Sequence, residues 1–228
     1  HVGPGYAADY DLLVGSGLYA ELAAAGRLVP HEEVAVEGHA DAHRVLRPQA
    51  VEFVSYPYEW AFSALRDAAL LTLDVAERAL RRGLVLKDAS AFNVQFRGSS
   101  PVFIDTLSFE ARREGEPWVA YRQFCEHFVA PLALMARRDA RLSGLWRAHL
   151  DGLPLDLASL LLPRSTWLRF GLLTHLHLHA RSQAYYADRP APSRRMAVSE
   201  TSLLALLDSL RRTVRALAPR RAPSEWAD

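Results

Sequence analysis

Leu86-Lys87-Asp88-Ala89-Ser90-Ala91-Phe92-Asn93-Val94-Gln95-Phe96, followed by Val102-Phe103-Ile104-Asp105-Thr106, is the stretch on which the fold turns. It sets an aspartate at 88, an asparagine five positions later and a second aspartate twelve after that. Val94-Gln95-Phe96 and Val102-Phe103-Ile104 read as short strands, and Gly98-Ser99-Ser100-Pro101 between them has turn chemistry. The segment 94–104 is therefore expected to be a β-hairpin. A hairpin brings the loop before its first strand close to the turn after its second, so Asp88, Asn93 and Asp105 are expected to converge. Such a trio suits phosphoryl transfer, which asks a protein mainly for positioning and charge neutralisation. One carboxylate, Asp88, orients the proton of an attacking hydroxyl. An amide oxygen and a second carboxylate, Asn93 and Asp105, hold magnesium, which takes few protein ligands and keeps several waters. Asp and Asn also make turns and cap loops everywhere, so the weight lies in the elements around them.

Upstream, Trp60, Leu65, Ala69, Leu73, Ala76 and Leu80 recur at helical spacing, which predicts a helix of about 25 residues from Tyr58. Arg81-Arg82-Gly83 is a stop signal. Before it, Val51-Glu52-Phe53-Val54-Ser55 alternates like a strand ended by Pro57, and Glu33-Val34-Ala35-Val36 suggests another. Residues 6–25 read as helix with a weak point at Gly15-Ser16-Gly17 and a stop at Gly26. Downstream, the pattern predicts helices over 117–139, 140–150, 155–162 and 165–187. A linker follows at Arg189-Pro190-Ala191-Pro192-Ser193, then an amphipathic helix over 199–217.

Composition bounds the function. The chain has 228 residues, half of them hydrophobic, and a formal charge of +1, so it is globular and not a generally basic nucleic-acid binder. The lone cysteine, Cys125, excludes a disulfide scaffold and any multi-thiolate metal site. No apolar run is long enough to span a bilayer. No charged segment followed by an apolar one stands at the start, so no signal peptide is expected and the expected compartment is the cytoplasm. Lys87 is the single lysine, the other basic residues being arginine. A chain that opens on His1 and closes on Glu225-Trp226-Ala227-Asp228 reads as a piece of something longer.

The Asp88, Asn93 and Asp105 spacing, the long helix before it and the hairpin within it resemble the protein-kinase-like fold, in its aminoglycoside-phosphotransferase-like branch. The resemblance implies an α+β, mostly helical domain with a reduced N-terminal lobe (1–57), a helical lobe carrying the catalytic-loop hairpin (58–190) and a linker helix (191–228). It implies Asp88 as the catalytic-loop aspartate, Asn93 and Asp105 as magnesium ligands, and ATP as the nucleotide. Val51–Trp60 then matches the hinge that receives adenine, which makes Tyr56 and Tyr58 nucleotide contacts, with Lys87 beside them. The chain departs from that pattern at Leu86, where the family usually has His, and at Thr106-Leu107, where it has Phe-Gly. It has no Gly-rich phosphate loop and no lysine before 87. Glu21 matches the family's partner glutamate, but the lysine it would pair is missing, and Arg27 or Arg44 would replace it poorly.

A second resemblance runs along nearly the whole chain. The run 86–96, Phe103-Ile104-Asp105-Thr106-Leu107-Ser108-Phe109 and Trp118-Val119-Ala120-Tyr121-Arg122-Gln123-Phe124 look like the N-terminal region of large bacterial class I SAM-dependent methyltransferases, nodulation-protein-like members among them. This implies that SAM and methyl transfer belong to a C-terminal domain outside these residues, which would be the partner of this segment. The function expected is a kinase-like domain, nucleotide- and magnesium-binding or degenerate, that serves recognition of a small-molecule substrate for that methyl transfer. The alternative is an active ATP- and magnesium-dependent phosphotransferase acting on a small-molecule hydroxyl. No partner membrane or nucleic acid is expected.

Other clusters read more plainly. His175, His177 and His179 lack an acidic companion, and on a helix His177 points away from the other two, which favours packing or surface roles. Cys125 and His127, two apart, face away from each other. Arg194-Arg195 and Arg220-Arg221 read as solvated surface. Trp118, Tyr121, Arg122, Gln123 and Phe124 read as core packing that, in a kinase-like lobe, would border the acceptor cleft.

Overall fold

The computed structural model describes residues 1–36, 41–186 and 197–219. The chain begins with α1 (Ala7–Gly15) and α2 (Leu18–Ala24), separated by Gly17, whose φ of 77° only glycine takes without strain. The predicted first helix is thus two, broken at its weak point. Next come β1 (His31–Glu33) and β2 (Leu46–Pro48), antiparallel with His31 opposite Pro48. The first strand lies earlier than the expected 33–36. The Tyr19 hydroxyl pins His31 there, donating to its carbonyl at 3.0 Å and accepting its N–H at 2.7 Å.

Val51–Ser55 is not a strand. Phe53 and Val54 are exposed, and the segment docks through one side chain instead of a ladder. The Gln95 amide accepts from Ser55 N and donates to Ser55 O, both at 3.0 Å, as a neighbouring peptide group would. A turn at Pro57–Glu59 follows, with Glu59 accepting from Tyr56 N at 2.9 Å. That closure delays the long helix, α3 (Phe62–Arg81), past the expected Tyr58. Its Leu65, Ala69, Leu73, Ala76 and Leu80 are buried as the spacing required, and Gly83 at φ 77° lets the chain turn away.

Then come β3 (Leu84–Leu86), β4 (Val94–Arg97), β5 (Ser100–Phe103) and β6 (Phe109–Ala111). β4 and β5 form the predicted hairpin, with Val94 opposite Phe103 and a two-residue turn at Gly98-Ser99. Gly98 sits at φ 59°, as a turn matched to strand twist requires. β3 pairs antiparallel with β6, Leu86 opposite Phe109.

The rest is helical. α4 (Tyr121–Phe124) runs through a wider turn at Cys125–Val129 into α5 (Ala130–Arg137). It starts later than 117 because the Trp118 indole donates to Leu86 O at 2.7 Å, which holds the preceding turn against β3. A 3-10 segment at Ala140–Ala148 leads to α6 (Leu155–Leu161). A second interrupted helix comprises α7 (Phe170–Leu172), a wide turn at Leu173–Leu178 and α8 (His179–Tyr186). The proposed linker at 189–193 lies outside the described residues. The last helix, α9 (Glu200–Ala216), is capped by Ser199, whose hydroxyl accepts from Ser202 N at 3.2 Å.

The architecture is α+β and mostly helical. α3 is its axis, packing on α9, β3, β5 and α5. Its polar side is tied down by charge: Glu21 of α2 meets Arg78 at 2.5 Å and Arg82 at 2.8 Å, and Glu77 meets Arg211 of α9 at 2.6 Å. Arg78, with Arg82, holds the Glu21 carboxyl below its usual pKa. No helix among the described residues is long and apolar enough to cross a membrane.

Candidate functional site

The hairpin brings two of the three predicted residues onto one bridging side chain. Ile104 N donates to Asn93 O at 2.8 Å, so the start of β4 and the end of β5 are locked together. Beyond that lock stands the buried Ser108. Its Oγ donates to Asp105 Oδ2 at 2.5 Å and accepts from Asn93 Nδ2 at 3.2 Å. Asp105 Oδ1 takes Leu107 N at 2.9 Å, the turn that swings the chain into β6. Each Asp105 oxygen thus receives one donor and keeps further lone-pair capacity, and Asn93 spends its N–H rather than its amide oxygen. A hard-oxygen pair of this kind suits magnesium, and its two members are fixed relative to each other by Ser108. Among the described residues no three His, Cys, Asp or Glu side chains gather into a metal cage.

Asp88 lies on the adjoining loop. Its Oδ1 accepts from Ser90 N at 2.9 Å, an Asx turn, and Ser90 Oγ in turn accepts from Phe92 N at 3.2 Å. The loop is clamped from α4 by Gln123, whose Oε1 accepts Ala89 N at 2.7 Å. Below it, the buried His127 accepts Ala91 N at Nδ1, 3.4 Å away. Burial pushes the His127 pKa down, against the pull of the Asp151 carbonyl and of Asp88, so the ring is neutral at physiological pH. Asp88 is thus held beside the Asn93–Ser108–Asp105 group but bonded to none of it.

The remaining predicted contacts are placed as follows. Lys87 N donates to Ser108 O at 2.8 Å, which puts the loop and the Ser108 turn side by side. Its ammonium sits 4.2 Å from the centre of the Tyr6 ring, a cation–π contact. The Tyr6 hydroxyl donates to Phe109 O, and burial raises its pKa. Tyr56 and Tyr58 stack on each other, ring centres 5.4 Å apart, and Arg147 covers Tyr58 at 5.7 Å. Those contacts face Ala140–Ala148, not Asp88, Asn93 or Asp105. Glu21 does not reach the site, being paired with Arg78 and Arg82. Arg27 is engaged by Asp74 at 3.1 Å and Arg44 by Glu33 at 3.0 Å, so neither replaces the missing lysine.

The histidine series is structural. His175 bridges the Tyr121 hydroxyl at 2.9 Å and Ser209 at 2.8 Å. His177 lies between Ser159 at 2.7 Å and Thr166 at 2.9 Å, and His179 stacks on Tyr121. Cys125 is buried, and burial raises its thiol pKa, so it is an inert apolar group.

Sequence reasoning missed Ser108, His127 and Tyr6 as supports of the site, and placed Gln123 only in a cluster bordering an acceptor cleft, without its bond to the Asp88 loop.

No family model matches the chain, and no solved structure matches it. One curated relative does: the chain is 39% identical over 164 residues to Nodulation protein NoeA of Rhizobium meliloti (strain 1021). The match covers 70% of this chain and 34% of that protein, so the chain spans about a third of the length of the relative it resembles.

Proposed function

We propose that this chain is a kinase-like module of a nodulation-protein-like methyltransferase. It binds a nucleotide with magnesium and serves recognition of a small-molecule substrate for methyl transfer performed by a C-terminal, SAM-binding domain outside these residues. In this reading 1–57 is a reduced upper lobe, 58–190 the helical lobe and 191–228 the connection to that partner domain. The observation that carries it is the fixing of Asn93 and Asp105 on the Ser108 hydroxyl, on a hairpin directly after a long buried helix. Asn93 Oδ1 and the Asp105 carboxylate would hold the metal, and bound magnesium would neutralise phosphate charge. Asp88 supplies a carboxylate on the adjoining loop, its Oδ1 taken by Ser90 N. Lys87 rests on Tyr6, Arg27 is paired with Asp74 and Arg44 with Glu33, which favours binding over turnover.

Calorimetry of ATP binding with and without magnesium tests the proposal. Binding should require magnesium, and Asp105→Asn should weaken it about tenfold or more, as loss of a charge-assisted ligand does. Magnesium-independent binding, or an Asp105→Asn variant as tight as wild type, overturns it. The second reading, phosphotransfer to a small-molecule hydroxyl, rests on Asp88 alone. It requires ATP turnover that Asp88→Asn abolishes.

A further inference from the structure

A cavity of about 490 Å³ opens far from Asp88, Asn93 and Asp105, where the end of α5, the start of α7 and the last turns of α9 meet. Arg137, Arg169 and Arg212 line it with Ser209 and Thr213, and no carboxylate stands among its described lining residues. Arg212 is held by Asp208 at 3.2 Å, one turn back on α9. Arg137 has no such partner among the described residues. Its Nη2 donates to Ala216 O at a long 3.3 Å, and its Nε is buried with no acceptor. Burial, and then the neighbouring Arg169, both push its guanidinium below the ordinary arginine pKa. A guanidinium nevertheless keeps its proton, so two like charges stand at one opening with no counter-charge among its described lining residues. Arg137 is half-buried with its Nε unmet, and a ligand anion would supply the missing acceptor.

We propose that this cavity binds a small molecule bearing a phosphate group, the phosphate lying between Arg137 and Arg169. Guanidinium forks match phosphate oxygens two at a time, which a lysine would not. The space exceeds what a phosphate alone fills and falls within the roughly 300–1,000 Å³ of small-molecule sites. The organic part lies along Phe170, whose ring is 76% exposed at the rim. Ser209 adds an oriented hydroxyl, fixed by the neutral His175 at 2.8 Å. The site is independent of the nucleotide reading and stands if that reading fails.

Titration of the whole chain with phenyl phosphate at constant ionic strength, followed by calorimetry and by thermal unfolding, tests the proposal, with phenol as the uncharged control. Phenyl phosphate should bind and raise the melting temperature while phenol does neither. Arg169→Met, at an exposed position, should weaken binding about tenfold or more. Arg137→Met should abolish the ligand-induced shift. If Arg137→Met does not fold, Arg169→Met decides. Asp105→Asn should leave this binding unchanged. No binding of phenyl phosphate, equal binding by Arg169→Met, or loss of binding in Asp105→Asn overturns the proposal.

Discussion

Ser108 holds more of the candidate site together than any residue the spacing singled out. It is buried, gives its proton to Asp105 and takes one from Asn93, so its removal strands two polar groups at once. Ser108→Ala should destabilise the protein by about 1 kcal/mol, the net worth of hydrogen bonds lost between a buried hydroxyl and two half-buried partners. A double-mutant cycle of Ser108→Ala with Asn93→Ala, read by denaturant unfolding, should show a coupling of about 0.5 kcal/mol or more. Strictly additive losses would mean that Ser108 does not join the two side chains. At this scale the sequence was legible where chemistry is local. Asp105 and Asn93 meet because a two-residue turn at Gly98-Ser99 leaves them no other course. It was illegible for Gln123 and His127, which reach the Asp88 loop from α4 and the wide turn after it, more than thirty residues on. No spacing rule encodes such a contact.

Between elements, α7 meets α9 with no room for a side chain at Gly171. A Cβ built on Gly171 would collide with Thr213 Oγ1 and lie 2.9 Å from its Cγ2. Gly171→Ala should therefore cost about 1–3 kcal/mol by overpacking, seen as a lower denaturation midpoint. Adding Thr213→Ala should recover most of it, because the clashing atoms are removed; no recovery would place the strain elsewhere. Helices were the most legible elements, since α3 and α9 carry their apolar residues at 3.6-residue spacing and end on a glycine or before a proline. Strands were the least. Val51–Ser55 alternates as a strand should, yet alternation says only that two faces differ, not that a partner backbone exists. Gln95 supplies a single peptide-like contact there, and nothing in 51–55 announces it.

Across the molecule, five histidines share one electrostatic condition. Burial is the largest cause of lowered pKa at His31, His127, His175, His177 and His179, with His175 brought to about 4. The unfolded chain takes up protons near pH 6.5 while the folded one does not. Their contribution is therefore whole above about pH 6.5 and is lost as the pH falls toward 4. For His175 alone, from 6.5 to about 4, the loss is on the order of 3 kcal/mol. Urea unfolding midpoints should drop steeply over that interval, and His175→Gln should flatten the slope; a flat profile from 6.5 to 4 contradicts the account. The α+β class and the helical excess were readable from the whole sequence, because periodicity accumulates over long segments. The charge ladder joining α2, α3 and α9 was not, because Glu21 carried no mark that separated an internal ion pair from a cleft residue. The only ε-amine in the chain belongs to Lys87 and rests on Tyr6, within the loop that carries Asp88. An amine-selective dye therefore has one side chain to label, and once the α-amino group is blocked its emission would watch that loop directly, with no engineered handle.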